Sequence, residues 1–283
     1  MVSQSNHLSW TQKDLEQRLG FKGGRFTKVN TTLTFILGLF LAIAVYVPIT
    51  FMFPESAVGQ MFLDRGFTPY AMTFLFSWSL IIAFVKSRKL KFQRQTTFIQ
   101  IVPPELDFVL SVTTVDQVLD NVVLAVDDAK KFVLFNRVST ALSNLRNLGN
   151  ISDVDEMLRS QADLDESSME TSYALIRGFI WAIPVLGFIG TVMGLSVAIG
   201  GFGDVLSKTS DPSALADSLK GVTGGLSTAF ETTLLALIFA LFLQLMVTFL
   251  HKSEEEFLDE CSEYCQKNIV GKLRIMPFEQ GDN

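Results

Sequence analysis

Four apolar runs, each about as long as a membrane-spanning helix, alternate with polar segments along the chain. Span one covers residues 33–53 and span two covers 67–85, while spans three and four lie within 178–250. About 20 helical residues cross the roughly 30 Å hydrocarbon core of a bilayer. The pattern therefore predicts an all-α membrane protein with four transmembrane helices.

The polar region between spans two and three has the apolar periodicity of helices and no alternating strand pattern of useful length. Thr114 and Ser152 resemble helix starts, and Gly149-Asn150 resembles a helix stop. No Pro or Gly lies between Ser152 and Gly178, so the last helix is expected to continue into span three. The residues that recur at helical spacing are Val118, Leu119, Val122, Val123 and Val126, then Val138, Leu142, Leu145 and Leu148.

Basic residues flank the start of span one and the end of span two, whereas the link at 54–66 is nearly free of them. The positive-inside rule predicts that both flanks are cytoplasmic and that this link lies outside. Long helices should extend from spans three and four into the cytoplasm. The predicted organisation is an N-terminal cytoplasmic segment (1–32), spans one and two (33–85), a helical cytoplasmic domain (86–177), spans three and four (178–250, with an external link at 203–225) and a cytoplasmic tail (251–283).

The N-terminal segment contains a short amphipathic pattern formed by Trp10, Leu15 and Leu19, with Thr11 as its expected N-cap. Such a helix could lie on the membrane surface or could cap the cytoplasmic domain.

Composition excludes several classes of function. Charged residues make up 18% of the chain, and the net charge of −6 disfavours nucleic-acid binding. Cys261 and Cys265 are expected to be free thiols, because two cysteines and two histidines make a poor metal site. No catalytic constellation or phosphate loop is present, so neither an enzyme nor a cofactor is predicted.

Spans three and four differ from simple anchors. Span three contains Pro184 and a stripe of small residues, Gly187, Gly190 and Gly194, that shares one face with Thr191. Such a stripe is either a helix-packing seam or, with its hydroxyl, part of a pore lining.

Span four carries polar residues on two faces. Thr228, Glu231 and Thr232 share one face, whereas Thr233 lies roughly opposite Glu231, because each helical residue turns by about 100°. Spans three and four contain no Lys or Arg, so Glu231 is expected either to relay protons or to be a neutral acid bonded to a hydroxyl. The adjacent hydroxyls of Thr232 and Thr233 could help replace the water shell of Na⁺, or could bond their own helix.

Residues 183–195 (IPVLGFIGTVMGL) and 225–234 (GLSTAFETTL) resemble, in order and spacing, the two motif helices of the MotA/TolQ/ExbB proton-channel family. The resemblance implies a bacterial inner-membrane motor unit, with five copies around two copies of a single-span MotB/TolR/ExbD-type partner. It also implies that Thr191 and Thr233 face an ion-carrying aspartate of the partner. Pro184 matches the family proline.

Two departures from the family pattern concern the subfamily and the coupling ion. A second proline late in span four is missing, and the acid is Glu231 rather than a residue at the position of Thr228. Proton coupling is favoured, with Na⁺ as the alternative.

A non-conducting membrane scaffold that recruits a cytoplasmic partner is the alternative function. A secondary transporter is disfavoured, because the four spans show no inverted repeat. Substitution of Thr191 and Thr233 by Val separates the motor from the scaffold.

Overall fold

The computed structural model describes residues 8–103, 105, 108–148, 152–208 and 212–273, which form helices and two isolated β-bridges. Four helical segments within these ranges are long and apolar enough to cross a membrane, which confirms the predicted helical fold and number of spans. The α-helices are α1 (Trp10–Lys13), α2 (Leu15–Arg18), α3 (Thr31–Met52), α4 (Ala57–Leu63), α5 (Thr68–Gln93), α6 (Val115–Ala125), α7 (Val133–Leu148), α8 (Ser152–Ser172), α9 (Ala174–Lys208) and α10 (Pro212–Asn268).

The chain divides into two compact units. The apolar unit comprises the described residues within 31–84 and 174–249, and therefore contains the four apolar runs. The polar unit comprises the described residues within 1–30, 85–173 and 250–283. Each unit thus collects segments that are distant in sequence.

The apolar unit has a small core and a largely apolar surface. Large apolar side chains such as Phe51, Trp181 and Phe249 are more than two-thirds exposed. Helices that are apolar on every side are typical of membrane spans, because lipid covers the outer faces. The buried core of this unit consists of Met72, Ile183, Leu235, Ala236, Ala240 and Leu243.

The polar unit has a conventional core formed by the amphipathic faces of α6, α7 and α8. Val118 and Val122 are buried, as the periodicity predicts, whereas Val123 is 70% exposed. Arg137 of α7 forms a buried ion pair with Asp165 of α8, with 2.7 Å between Arg137 Nε and Asp165 Oδ2. Since two buried charges are stable only when they are paired, this contact fixes one helix against the other.

The N-terminal segment packs into the polar unit. Trp10 is fully buried. Its ring is tilted against that of Phe92, at a centroid distance of 5.7 Å, and edge-on to that of Phe132, at 5.3 Å. Ser9, and not Thr11, is the N-cap of α1. Of the two predicted roles of this segment, packing against the polar domain is the one observed.

Asp127 holds the same segment in place through four hydrogen bonds. It accepts them from the N–H groups of Trp10 and Thr11 and from the hydroxyls of Ser9 and Thr11. Partial burial raises the pKa of Asp127, but these donors outweigh that effect and hold the pKa below its usual value. The carboxylate is therefore favoured in the folded chain.

Several helix boundaries differ from the sequence predictions. The helix after Ser152 continues into span three as predicted, with a one-residue turn at Tyr173 between α8 and α9. The predicted external link at 203–225 is largely helical, since α9 continues to Lys208 and α10 begins at Pro212. The link at 54–66 contains α4, which has no sequence signal beyond the Ser56 N-cap.

Other predicted features are placed as follows. Thr114 lies at the N-cap of α6, although its side chain makes no capping bond there. Gly149-Asn150 lies outside the described residues. Cys261 and Cys265 are buried free thiols.

Candidate functional site

Helices α9 and α10 meet along the predicted stripe of small residues. A Cβ atom on Gly190 would lie 2.8 Å from the hydroxyl oxygens of Thr232 and Thr68, and one on Gly194 would lie 3.0 Å from the carbonyl oxygen of Gly225. A methyl group on Gly190 would force its neighbours to move, and one on Gly194 would be a tight contact with backbone. The stripe is therefore a packing seam that brings two backbones close together.

Thr191 and Thr233 lie on this seam, and their hydroxyl groups are in hydrogen-bond contact with each other. Thr191 Oγ1 is also 3.1 Å from the carbonyl oxygens of Gly187 and Ala229, and Thr233 Oγ1 is 3.1 Å from that of Ala229. Each hydroxyl has one proton and two lone pairs, so the pair can donate only two of these bonds at a time. Both residues are partly exposed.

The geometry thus allows the stripe of small residues to be a helix-packing seam and part of a pore lining at the same time. The glycines allow close approach, and the two threonines add one polar point to an otherwise apolar contact. This point contains acceptors and rotatable donors but no charged group, so a proton or an acidic side chain could bind there without displacing an ion pair.

Thr232 lies next to Thr233 in sequence but has a different environment. Its side chain is fully buried, and its hydroxyl donates to the carbonyl oxygen of Thr228 or Ala229 at 3.1 Å. It faces Gly190 across the seam. Of the two sequence-based interpretations of this hydroxyl, the bond to its own helix is observed.

Glu231 has a cationic partner, which corrects the sequence analysis. Arg65 Nε donates to Glu231 Oε2 at 2.8 Å, and Arg65 Nη1 donates to Thr228 Oγ1 at 2.8 Å. Ser227 Oγ donates to the other carboxylate oxygen, Oε1, at 2.7 Å. The expectation of an unpaired acid considered only spans three and four and is wrong, because the cation comes from the link between spans one and two.

This cluster is partly open to its surroundings, since the side chains of Arg65 and Glu231 are 18% and 31% exposed. Thr228 and Glu231 share a face of α10, as the helical spacing predicts. Sequence reasoning missed Arg65 as a site residue. The signal was weak: one arginine in a link with few charges.

Pro184 lies inside α9, about three helical turns after its start. Proline has no N–H to donate to the carbonyl four residues earlier, so it weakens the helix at that point.

The predicted site residues therefore form two groups. Thr191 and Thr233 meet across the seam, and Gly187 and Gly190 lie beside them. Thr228 and Glu231 form a separate ionic cluster with Arg65, on the face of α10 roughly opposite Thr233.

Comparison with known proteins gives one family. Residues 130–263 match the model of the MotA/TolQ/ExbB proton channel family, which confirms the resemblance seen in the two motif stretches. The matched range includes both groups of site residues except Arg65. No curated protein and no solved structure matches the chain.

Proposed function

Starting from the match of residues 130–263 to the MotA/TolQ/ExbB proton channel family, we propose that this chain is the channel-forming subunit of an ion-driven membrane motor. It couples ion flow to rotation or other mechanical work through a single-span partner of the MotB/TolR/ExbD type. Five copies of the chain surround two copies of the partner. Protons are the coupling ion, with Na⁺ as the alternative.

The observation that supports this proposal most is the contact between the hydroxyls of Thr191 and Thr233. The two residues come from the two motif stretches and lie 42 positions apart. Hydroxyls in an apolar environment can donate to a carboxylate and accept from a protonated carboxyl without the desolvation cost of a full charge. They suit a site at which a partner's acidic side chain changes its protonation state.

The energetics favour ion coupling by a partner's acidic side chain at the two hydroxyls over ion coupling at the Arg65–Glu231 ion pair. An elementary charge that crosses a potential of 100 mV releases about 2.3 kcal/mol. Binding at the two hydroxyls must be weak enough to reverse at every step, and a neutral donor pair meets that requirement better than the Arg65–Glu231 ion pair. We therefore assign the ion-responsive role to Thr191 and Thr233.

The proposed location is the bacterial inner membrane, with both termini in the cytoplasm. The support comes from the distribution of basic residues, which are frequent before span one and after span two. The link at 54–66 has few of them. The exposed apolar faces of α3, α9 and α10 are available to lipid and to further copies of the chain.

The first experiment identifies the partner and the assembly. The full-length chain is tagged in its native host and purified with its associated proteins, and the complex is imaged by single-particle electron microscopy. Five copies around two single-span helices are expected. An assembly with no axial space for a second protein would contradict the motor proposal.

The second experiment measures ion flux by the purified complex in liposomes, with a pH-sensitive dye and a potassium-diffusion potential. Thr191→Val and Thr233→Val should each reduce flux at least tenfold, whereas Thr191→Ser and Thr233→Ser should keep most of it. Thr248→Val is the matched control, because that exposed hydroxyl donates to its own helix. Replacement of Na⁺ by choline at a constant K⁺ gradient distinguishes the two ions. Unchanged flux in the Thr191→Val/Thr233→Val double variant would contradict the role of the two hydroxyls, and no flux in the unsubstituted complex would favour the scaffold.

A further inference from the structure

A cavity of about 380 Å³ lies within the polar unit, between the N-terminal segment and the end of α5. Its volume is in the range of sites that bind small organic molecules. The charged side chains that line it are Lys13, Asp14, Arg18, Arg88, Lys89 and Lys91.

The acids beside this cavity share one buried lysine. Asp14 lies 3.7 Å from Lys89 Nζ, and Glu16 lies 2.5 Å from the same atom. Lys89 is buried with them. These three residues carry at most one net negative charge, which is too little to balance the four other cations that line the cavity.

The remaining cations have no acidic partner. Among the residues that the structure describes, Arg18, Arg88 and Lys91 form no ion pair and are exposed. Lys13 contacts only neutral groups, the side-chain oxygen of Gln95 at 3.3 Å and the ring of Phe92. Four positive charges around one cavity repel each other, and a bound anion removes that repulsion.

The position of these cations along α5 corresponds to the depth of lipid headgroups. Span two ends at Val85, and Arg88 and Lys91 follow three and six residues later. At a rise of about 1.5 Å per residue they lie roughly 4.5 and 9 Å beyond the apolar run. The headgroup layer on each side of the hydrocarbon core is about 5–7.5 Å thick, so Arg88 lies within its depth and Lys91 just beyond it.

We infer that this cavity binds a phosphate group, and that the phosphate belongs to the headgroup of an anionic phospholipid. Arginine side chains bind phosphate oxygens with two parallel bonds, and lysines add charge. The positive-inside rule alone explains basic residues after a span, but it does not require them to line a cavity. The inference is independent of the proposed motor function.

The test uses purified full-length protein in neutral detergent, with phosphatidylglycerol and phosphatidylcholine of identical chains added in equal amounts. Native mass spectrometry measures the ratio of the two bound lipids. The unsubstituted protein should retain phosphatidylglycerol in about tenfold excess, and Arg88→Gln/Lys91→Gln should bring the ratio close to one. Lys252→Gln is the matched control, because Lys252 follows span four and its side chain is 72% exposed.

A second measurement distinguishes a lipid from a free phosphate compound. Inorganic phosphate is added and the thermal unfolding midpoint (Tm) is recorded for the same proteins without lipid. A rise in Tm that Arg88→Gln/Lys91→Gln abolishes, without any lipid preference, would keep the phosphate site and overturn the lipid source. Equal behaviour of all proteins with both ligands, or an equal loss in Lys252→Gln, would overturn the site. The substituted side chains are exposed, and an unchanged Tm without ligand verifies that the variants fold.

Discussion

Removal of the charge of Arg65 should destabilise the apolar unit by about 1–2 kcal/mol. The substitution Arg65→Gln removes the ion pair with Glu231 and the hydrogen bond to Thr228. A hydrogen bond to a charged group contributes about 1.5–3 kcal/mol when it is buried. The side chains here are 18% and 31% exposed, so solvent or headgroup screening reduces that value. Ser227 still donates to the carboxylate, which limits the penalty of leaving Glu231 without its cation.

A double-mutant cycle isolates the contribution of the pair. Arg65→Gln, Glu231→Gln and the double variant are unfolded in mixed micelles of increasing dodecyl sulfate content, and helicity is followed by circular dichroism. The coupling energy should be about 1 kcal/mol or more, because the residues are in direct contact.

The Arg159–Asp155 pair serves as the control for this cycle. It lies one helical turn apart on α8, and its arginine side chain is 72% exposed. A pair of this type contributes about 0.3–0.5 kcal/mol. If the effects of Arg65→Gln and Glu231→Gln add within about 0.5 kcal/mol, the two residues do not interact, and Arg65 is not the cationic partner of Glu231.

Three further substitutions test other contacts. Gly190→Ala should lower the free energy of unfolding by about 1–3 kcal/mol in the same titration, because the new methyl group would lie 2.8 Å from the hydroxyl oxygens of Thr232 in the seam and of Thr68 on α5. Asp127→Ala should lower thermal stability by about 1–2 kcal/mol at pH 7. Because the folded-state pKa of Asp127 is depressed, its contribution is present above the unfolded pKa of about 3.9 and is lost as the pH falls through the folded value, so the difference from the unsubstituted protein should shrink below about pH 4. Arg137→Met leaves Asp165 buried without its cation and should cost about 3–5 kcal/mol in thermal or chemical unfolding.

Matched variants control these measurements. Gly200→Ala adds a methyl group in open space and should be neutral or slightly stabilising. Asp116→Ala and Arg146→Met break an exposed pair and should change stability by less than about 1 kcal/mol. A loss in Gly200→Ala as large as that in Gly190→Ala, or an acid response of Asp127→Ala identical to that of the unsubstituted protein, would contradict the corresponding argument.

The helices and their faces could be predicted from the sequence because they depend on local spacing. The separation of Thr233 from Glu231, and the alignment of Gly187, Gly190 and Thr191, follow from 100° per residue. The structure has each of them on the expected face. The amphipathic faces of α6 and α7 could be predicted for the same reason.

Boundaries and long-range partners could not be predicted in this way. The one-residue turn at Tyr173 has no Pro or Gly signal, and the helical extension to Lys208 passes through glycines and polar residues that usually end a helix. The burial of Trp10 could not be predicted from an amphipathic pattern, because it depends on where Phe92 of α5 and Phe132 lie in space.

The sequence by itself determined the number of candidate spans, the all-helical fold and the resemblance to the MotA/TolQ/ExbB proton channel family, because each depends on apolar length or on a motif read along the chain. Only the tertiary structure decided that Arg65 neutralises Glu231 and that the hydroxyls of Thr191 and Thr233 meet. Both are contacts between segments that are 166 and 42 residues apart. Helical periodicity gives the direction of a side chain around the axis of its helix. The residue that it contacts depends on which helices pack together and at what register.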